Sequence, residues 1–334
     1  MSAFGPIQTI DAHTGGEPLR IVTKGLPPIV GDTILDKRTY AERELDGLRR
    51  ALMLEPRGHA DMYGAFLTEP TTPDGHVGVL FLHNAGFSTM CGHGIIALGK
   101  VGIERGLFRA DDDGVIRFDT PAGRVVASVR RDGDRVVEVS FRNVASFVQH
   151  ADAAVEIAGI GRVRYDLAYG GAFYAYVEAT DLGVAVRPEN QDRLVELSRA
   201  IKPVVQAHTP PVYPGGDERL GFVYGVIFSE PGQGGVHTRN VCVFADGEVD
   251  RSPTGTGVSG RAAILHARGE LALGEDIEIA SIIGSSFRVR VAETTTVGPH
   301  AAIVPEVAGT AFITGEHTFV FDPSDPLRDG VLLR

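Results

Sequence analysis

MCGHGIIALGKVGIERGLF (Met90 to Phe108) and PTGTGVSGRAAILHARGEL (Pro253 to Leu271) are two segments of one chain that repeat each other. A shift of 163 residues aligns Cys91 with Thr254. The same shift aligns Gly92 with Gly255, Gly94 with Gly257, Ile95 with Val258, Arg105 with Arg268 and Gly106 with Gly269. Self-similarity at a fixed offset is typical of a duplicated structural unit.

The repeat continues on both sides of these segments. Upstream, VGVLFL (Val77 to Leu82) falls on VCVFA (Val241 to Ala245). Downstream the shift slips by two, and Ile116-x-Phe118-x-Thr120-x-x-Gly123 matches Ile277-x-Ile279-x-Ser281-x-x-Gly284. Short β-branched and aromatic runs predict strands, and an apolar segment that ends in Arg-Gly predicts a helix with a C-terminal glycine cap. Each copy therefore reads as strand, turn, helix and further strands.

This pattern predicts an α/β fold of two pseudo-repeated halves that face each other, each a mixed, mostly antiparallel sheet around a central helix. The length of 334 residues suits two domains. We expect one half over residues 1–148, carrying Cys91, and the other over 149–334, carrying Thr254. The last ~15 residues are candidates to pack back on the first half. A long helix is expected from Arg187 to Lys202, followed by a Pro-rich loop (Ala207 to Gly216) that is a candidate lid or edge cover.

Composition excludes several classes of protein. The net charge is −11 and the basic residues are scattered, which argues against a nucleic-acid partner. No apolar run approaches the ~20 residues of a membrane helix, and the opening residues lack a secretory pattern. The 2 cysteines cannot form a disulfide framework. We therefore expect a cytoplasmic protein with no membrane or nucleic-acid partner.

The start of each predicted helix is rich in glycine. Gly92-His93-Gly94 and Gly255-Thr256-Gly257 present backbone N–H groups that no helical carbonyl satisfies. A helix N-terminus favours an anion, so the two starts together could bind one small carboxylate. The glycine spacing matches neither the dinucleotide nor the P-loop motif.

The residue just before each glycine turn differs between the copies. Cys91 is expected at the N-cap or first position of its helix, where the helix dipole lowers the pKa of a thiol and makes it a usable base or nucleophile. The alternative is a packed free cysteine, which we assign to Cys242 inside VCVF. Thr254 has no comparable acidity, and its simplest role is to cap the helix.

Five motifs closely resemble the landmarks of the proline racemase family, which includes hydroxyproline epimerases and trans-3-hydroxy-L-proline dehydratases. They are HTGGEP (His13 to Pro18), GHVGVLFLHNAGFSTMCGHG (Gly75 to Gly94), GGAFYAYV (Gly170 to Val177), RNVCVF (Arg239 to Phe244) and VDRSPTGTGVSGR (Val249 to Arg261). The resemblance implies the fold of diaminopimelate epimerase, with the site in the cleft between two α/β halves.

The resemblance also implies a mechanism. Racemases of this family use two cysteines, one on each face of the substrate α-carbon, without pyridoxal phosphate or a metal. The family pattern at the second cysteine is SPCGTG, whereas this chain has SPTGTG with Thr254. Threonine there marks the dehydratase branch. The implied function is dehydration of trans-3-hydroxy-L-proline to Δ1-pyrroline-2-carboxylate, with Cys91 as the base and no cofactor.

Further roles follow by the same analogy. The substrate carboxylate would bind Gly92, His93, Gly94, Gly255 and Thr256, while Asp250 and His93 would hold the ring ammonium. Thr254, the second catalytic residue on the other face, would orient the substrate or a water. Histidines elsewhere do not match metal-ligand spacing, so no metal is expected. A 4-hydroxyproline 2-epimerase or proline racemase is an alternative, and a non-catalytic imino-acid-binding protein is a second one. The sequence is compatible with a homodimer but does not settle the oligomeric state.

Overall fold

The computed structural model describes residues 4–333. Residues 1–3 and 334, at the outer ends of the two expected halves, lie outside it. The chain divides into two compact units. One unit contains the residues up to Phe141 together with those from Thr310 onward, and the other runs from Arg142 to Gly309.

The elements of the first part of the chain are β1 (Ile7–Thr14), β2 (Glu17–Lys24), α1 (Ile34–Glu44), α2 (Asp46–Met53), β3 (Tyr63–Thr68), β4 (Val77–His83), α3 (Gly92–Glu104), β5 (Val115–Thr120), β6 (Gly123–Asp132) and β7 (Arg135–Arg142). The remaining elements are β8 (Ser146–Ile157), β9 (Gly161–Tyr169), β10 (Phe173–Glu178), α4 (Gln191–His208), β11 (Val223–Pro231), β12 (Thr238–Phe244), β13 (Glu248–Asp250), α5 (Gly255–Ala267), β14 (Asp276–Ser281), β15 (Ser286–Val297), β16 (His300–Gly309) and β17 (Ala311–Phe319).

The first unit is a mixed sheet that packs on α3. Strand β1 runs antiparallel to both β17 and β2, and the sheet continues through β3, β4, β5 and β6. The β2–β3 and β4–β5 pairs are parallel, and the other pairs are antiparallel. Helix α3 contacts β1, β2, β6 and β17. Its residues from Gly92 to Gly102 are all buried. A helix that is apolar on all sides belongs inside a domain, which is why this segment lacks a polar face.

The second unit closes its sheet around α5. The strands pair in the order β8, β9, β10, β11, β12, β14, β15 and β16, and β16 pairs back with β8. Helix α5 packs against β8, β9, β15 and β16. Nearly all of its side chains up to Leu265 are buried. The expected arrangement of a mixed, mostly antiparallel sheet around a central helix is therefore confirmed.

The internal repeat extends to the limits of the elements. Helices α3 and α5 begin and end at positions that differ by the same 163 residues, and β5 and β14 differ by 161 at both ends. The two helices also end alike, because Arg105 and Arg268 are the C-cap residues and a left-handed glycine follows each. The duplication predicted from the sequence is confirmed at single-residue precision.

The long helix differs from the prediction. Helix α4 begins after a 3-10 turn at Pro188–Asn190 and continues to His208, six residues past the predicted end. Pro203 lies on its exposed side, where water can bond the carbonyl that loses its helical partner. The following loop hydrogen-bonds to Gln149 through the Pro210 carbonyl and the Val212 N–H. These bonds tie the loop to the side chain of Gln149 in strand β8.

Helices of the described residues are all too short or too polar to cross a membrane.

Candidate active site

Cys91 is the N-cap residue of α3, as the sequence predicts. Its backbone is extended (φ −145°, ψ 111°), and its Sγ accepts a hydrogen bond from the Gly94 N–H at 3.3 Å. Only 4 % of the residue is exposed. An N–H donor and the positive end of the helix both favour negative charge on the sulfur. The local geometry therefore suits a thiolate.

The imidazole of His93 lies next to this thiol. Its Nδ1 is 3.2 Å from the Cys91 Sγ, and its Nε2 is 3.2 Å from the carbonyl oxygen of Pro18. Because a carbonyl oxygen only accepts hydrogen bonds, Nε2 carries the hydrogen of the neutral ring. Nδ1 is then left with a lone pair that faces the thiol. The pair can hold the thiol proton on either the sulfur or the nitrogen.

Neighbouring elements hold His93 in this position. The Thr14 hydroxyl, at the end of β1, donates to the His93 carbonyl at 3.0 Å. The ring of Tyr63 meets the imidazole edge-on at 4.9 Å, and the Tyr63 hydroxyl donates to Ser88 Oγ at 2.7 Å. The hairpin that contains HTGGEP thus supports the Cys91–His93 pair from the side.

Glycine at position 94 is required by close packing. A Cβ there would lie 2.4 Å from Phe81 Cε1 and 3.0 Å from the Cys91 sulfur. The equivalent glycine of the repeat, Gly257, is confined in the same way, since a Cβ would lie 2.3 Å from Ile227 Cδ1. The first turn of each helix therefore packs closely against a side chain of a neighbouring strand.

The second helix start is built differently. The Thr254 hydroxyl donates to Asp250 Oδ2 at 2.8 Å, and Asp250 Oδ1 accepts the Ser252 N–H at 2.7 Å. The Ser252 hydroxyl in turn accepts the Thr254 N–H at 3.1 Å. Because a carboxylate only accepts hydrogen bonds, the hydroxyl proton of Thr254 is committed to Asp250. Thr254 can offer a ligand only its oxygen lone pairs.

The expectation that the Thr254 side chain caps α5 is wrong. Thr254 occupies the N-cap position, but no side-chain capping hydrogen bond is present. Its φ of +65° is uncommon for a β-branched residue, and its hydroxyl is bonded to the Asp250 carboxylate, with no backbone N–H of the first turn bonded to its oxygen. Backbone strain of this kind clusters at functional sites.

The structure brings the predicted site residues together in two groups. Cys91, Gly92, His93 and Gly94 form the first turn of α3. Thr254, Gly255 and Thr256 form the start of α5, next to Asp250 at the end of β13. Sequence reasoning missed the residues that support these groups, which are Thr14, Pro18, Tyr63, Ser252 and Tyr174. Four of the five lie in quoted motifs, but no residue-level pattern indicated their contacts.

Cys242 has the structural place that the sequence predicts. It lies within β12, is fully buried, and pairs with Asp250 in the strand register. Its surroundings are strand core, whereas those of Cys91 are a helix start.

Comparison with known proteins agrees with this geometry. Residues 9–332 match the proline racemase family. The chain is 48 % identical to a trans-3-hydroxy-L-proline dehydratase of Colwellia psychrerythraea, over 98 % of this chain and 93 % of the relative. It is 44 % identical to a 3-hydroxyproline 2-epimerase of Burkholderia multivorans, over 98 % of both proteins.

A solved structure is similar over nearly the whole fold. The hydroxyproline epimerase of Agrobacterium vitis, crystallised with bound trans-4-hydroxy-L-proline, superposes with a TM-score of 0.92 at 32 % identity. The match covers 98 % of this chain and 95 % of that one. With its duplicated α/β units, its cysteine-capped helix and these full-length relatives, the chain belongs to the proline racemase family.

Proposed function

We propose that the protein is a cofactor-independent hydro-lyase that converts trans-3-hydroxy-L-proline into Δ1-pyrroline-2-carboxylate and water. Relatives of this name at 44–48 % identity over almost the full chain support the substrate. The different hydrogen bonding of Cys91 and Thr254 supports the type of reaction.

Substrate binding would use the two helix starts. Backbone N–H groups of Gly92, His93 and Gly94, and of Gly255 and Thr256, would hold the carboxylate. The second lone pairs of the Asp250 carboxylate would accept the ring ammonium. The resemblance to the family implies that His93 also binds this ammonium. In this structure, however, the ring nitrogen of His93 that can accept a hydrogen bond faces Cys91. In our proposal the His93 ring therefore acts mainly on the thiol proton.

The chemical step is a one-sided elimination. The Cys91 thiolate takes the proton from C2, the C–H electron pair forms the C2–C3 double bond, and the C3–O bond breaks. In the trans isomer the C3 hydroxyl and the C2 hydrogen lie on the same face of the ring. The newly formed Cys91 thiol can therefore protonate the departing hydroxide to water, so that one residue serves as base and acid. The enamine product then tautomerises to the cyclic imine.

The observation that carries this proposal is the hydrogen bond from Thr254 to Asp250. Epimerisation requires an acid that returns a proton to C2 from the opposite face. A threonine hydroxyl is a very weak acid, and here its proton is committed to a carboxylate. Elimination from the Cys91 side needs no such acid.

A second candidate is 3-hydroxyproline 2-epimerase, because one relative at 44 % identity carries that name. In that reaction a water bound by Thr254 would replace the missing thiol. The two candidates give different products from the same substrate.

The test is to incubate the purified protein with trans-3-hydroxy-L-proline and to trap the imine with o-aminobenzaldehyde. A parallel sample with trans-4-hydroxy-L-proline is followed by optical rotation. We expect imine from the first substrate and no epimer from the second. Epimerisation of trans-3-hydroxy-L-proline at C2, seen by optical rotation of the first sample without imine, would overturn the dehydratase proposal in favour of the second candidate. Epimer from trans-4-hydroxy-L-proline would favour a 4-hydroxyproline 2-epimerase. A reducing compartment such as the cytoplasm suits this chemistry, because the base is a free thiol.

A further inference from the structure

The hydroxyl of Tyr174 contacts the hydroxyl of Thr256, one of the proposed carboxylate-binding residues. The two oxygens are 2.7 Å apart. Tyr174 is 1 % exposed and Thr256 is 2 % exposed. Tyr174 is the second residue of β10, and Thr256 is the second residue of α5. A strand side chain therefore reaches the helix start at which the anion is expected.

The two hydroxyl groups carry two protons, but only one of these protons can form the hydrogen bond between the oxygens. Among residues 4–333, the contact between these oxygens is the only hydrogen bond that either side chain makes. One proton lies between the two oxygens, and the other has no acceptor. A buried polar hydrogen without an acceptor costs about 1–3 kcal/mol, so the position of that hydrogen is informative.

The phenol is the better donor of the pair. Burial raises the pKa of the Tyr174 phenol well above its usual value, so the group keeps its proton. The rings of Tyr176 and Tyr224 pack edge-on around it, 6.3 Å and 5.8 Å away between centroids. When the phenol donates to Thr256, the proton left without an acceptor is that of Thr256, in the first turn of a helix that no side chain caps.

We propose that Tyr174 is a positioning residue that holds the Thr256 hydroxyl with its proton directed to the substrate carboxylate. This inference rests on the proposed function for the identity of the carboxylate. The two threonines of the turn then have opposite roles, since the Thr254 hydroxyl donates a hydrogen bond to Asp250 and the Thr256 hydroxyl donates one to the ligand. Specificity for an anionic group at this helix start comes from a side-chain donor as well as from backbone N–H groups.

The neighbouring Tyr176 provides a matched control. It lies two residues away on the same face of β10, and its hydroxyl donates to the Gly257 carbonyl at 2.8 Å. It braces the same helix turn, but its partner is a backbone carbonyl rather than the hydroxyl of Thr256. Loss of its hydroxyl should affect stability without removing a donor for the ligand.

The experiment compares Tyr174→Phe, Tyr176→Phe, Thr256→Val and the double variant Tyr174→Phe/Thr256→Val. For dehydration of trans-3-hydroxy-L-proline, Tyr174→Phe should raise KM about 10-fold with kcat nearly unchanged, since the lost interaction is to a group that does not react. Tyr176→Phe should leave KM within about 2-fold. The double variant should have the KM of Thr256→Val alone, because Tyr174 acts only through that hydroxyl.

Calorimetry with L-proline and L-prolinamide separates this inference from the proposed function. L-proline retains the carboxylate but has no hydroxyl to lose, and L-prolinamide replaces the carboxylate with a neutral amide. Tyr174→Phe should weaken binding of L-proline by a larger factor than binding of L-prolinamide, because a hydrogen bond to a charged carboxylate is stronger than one to a neutral amide. If the wild-type protein binds L-proline but forms no imine, and Tyr174→Phe weakens that binding, the dehydratase proposal is refuted and the role of Tyr174 is supported.

If Tyr174→Phe and Tyr176→Phe raise KM equally in an enzyme that forms imine, the positioning role of Tyr174 is refuted and the dehydratase proposal stands. Additive effects in the double variant would refute that role as well. If the wild-type protein neither forms imine nor binds L-proline, both proposals fail. If Tyr174→Phe does not fold, Thr256→Ser and Thr256→Val are compared, and equal affinity for L-proline would refute a donor at this position.

Discussion

The residues that open α3 and α5 differ in what their side chains can do with a proton. The Cys91 sulfur accepts from Gly94 and lies 3.2 Å from His93 Nδ1, so its proton can leave and return. The Thr254 hydroxyl donates its hydrogen bond to Asp250 and keeps its proton. The sequence predicted the different chemistry of thiol and alcohol, but not this hydrogen bond. A turn with φ of +65° at a threonine is set by its tertiary neighbours, which local propensity does not reveal.

Cys91→Ser should lower imine formation by at least about 10³-fold, because a serine hydroxyl is far too weak an acid to replace a thiolate base. Single-turnover trapping of the imine measures the effect. Cys242→Ala is the matched control, since that cysteine lies in the core of β12, and it should retain turnover with lower stability. Normal activity of Cys91→Ser would remove the thiol from the mechanism.

Thr254→Cys should gain epimerase activity that the wild-type protein lacks. A thiol at this position can return a proton to C2 from the other face, and cysteine is not β-branched, so the turn tolerates it at least as well as threonine. Chiral chromatography of L-proline after prolonged incubation detects D-proline. Thr254→Ser keeps a hydroxyl and should form none. Equal amounts of D-proline from both variants would contradict the need for a second thiol.

At the scale of elements, each central helix is defined by glycines as much as by apolar residues. The sequence predicted α3 and α5 well, because an apolar stretch between a glycine turn and an Arg-Gly end is a complete local signal. It did not predict the end of α4. There a proline on the exposed side does not break the helix, and burial of Val205 beyond it extends the element. Packing decides such ends, and packing is not a local property.

Gly94→Ala should destabilise the protein by about 2 kcal/mol and reduce turnover, because the added methyl group collides with Phe81 and crowds the Cys91 sulfur. Gly47→Ala, in α2, is the control. A Cβ there meets open space, so the change should be neutral or stabilising through helix propensity. Chemical denaturation compares the two variants. A Gly94→Ala protein as stable and active as the wild type would show that this helix start has room to move.

At the scale of the whole molecule, the repeat organises two units that are not identical. The duplication is visible in the sequence because the lengths of α3 and α5, and of β5 and β14, agree to the residue. Strand partners are not visible in this way. The pairing of β1 with β17 joins the two ends of the chain, and the closure of β16 on β8 joins strands about 150 residues apart. Only the packed sheets determine these long-range pairings.

Acid stability of the first unit should depend on Asp119, at the end region of β5. Burial alone would raise the pKa of this carboxyl, but hydrogen bonds from Thr72, from the Thr71 and Thr72 N–H groups and from Arg124 lower it below its usual value of 3.8. A carboxylate with a lowered pKa stabilises the fold above its unfolded pKa, and that contribution is lost as the pH falls through the folded pKa. The free energy of unfolding should therefore decrease below about pH 4.

Asp119→Asn should remove this dependence and cost about 2 kcal/mol at neutral pH, because four part-buried donor groups lose a charged acceptor. Asp74→Asn is the control, since Asp74 also pairs with Arg124 but is exposed. It should change stability little at any pH. Urea unfolding between pH 3 and pH 7 tests both. An unchanged pH profile in Asp119→Asn would assign the acid sensitivity to other groups.

The central claim is that one thiol acts on one face of the ring, first as base and then as acid. The most direct measurement is the ratio of kcat/KM for imine formation from trans-3-hydroxy-L-proline and from cis-3-hydroxy-L-proline. In the cis isomer the hydroxyl lies opposite the C2 hydrogen, out of reach of the Cys91 proton. We predict that the trans isomer reacts at least about 100-fold faster. Comparable rates for the two isomers would contradict the account.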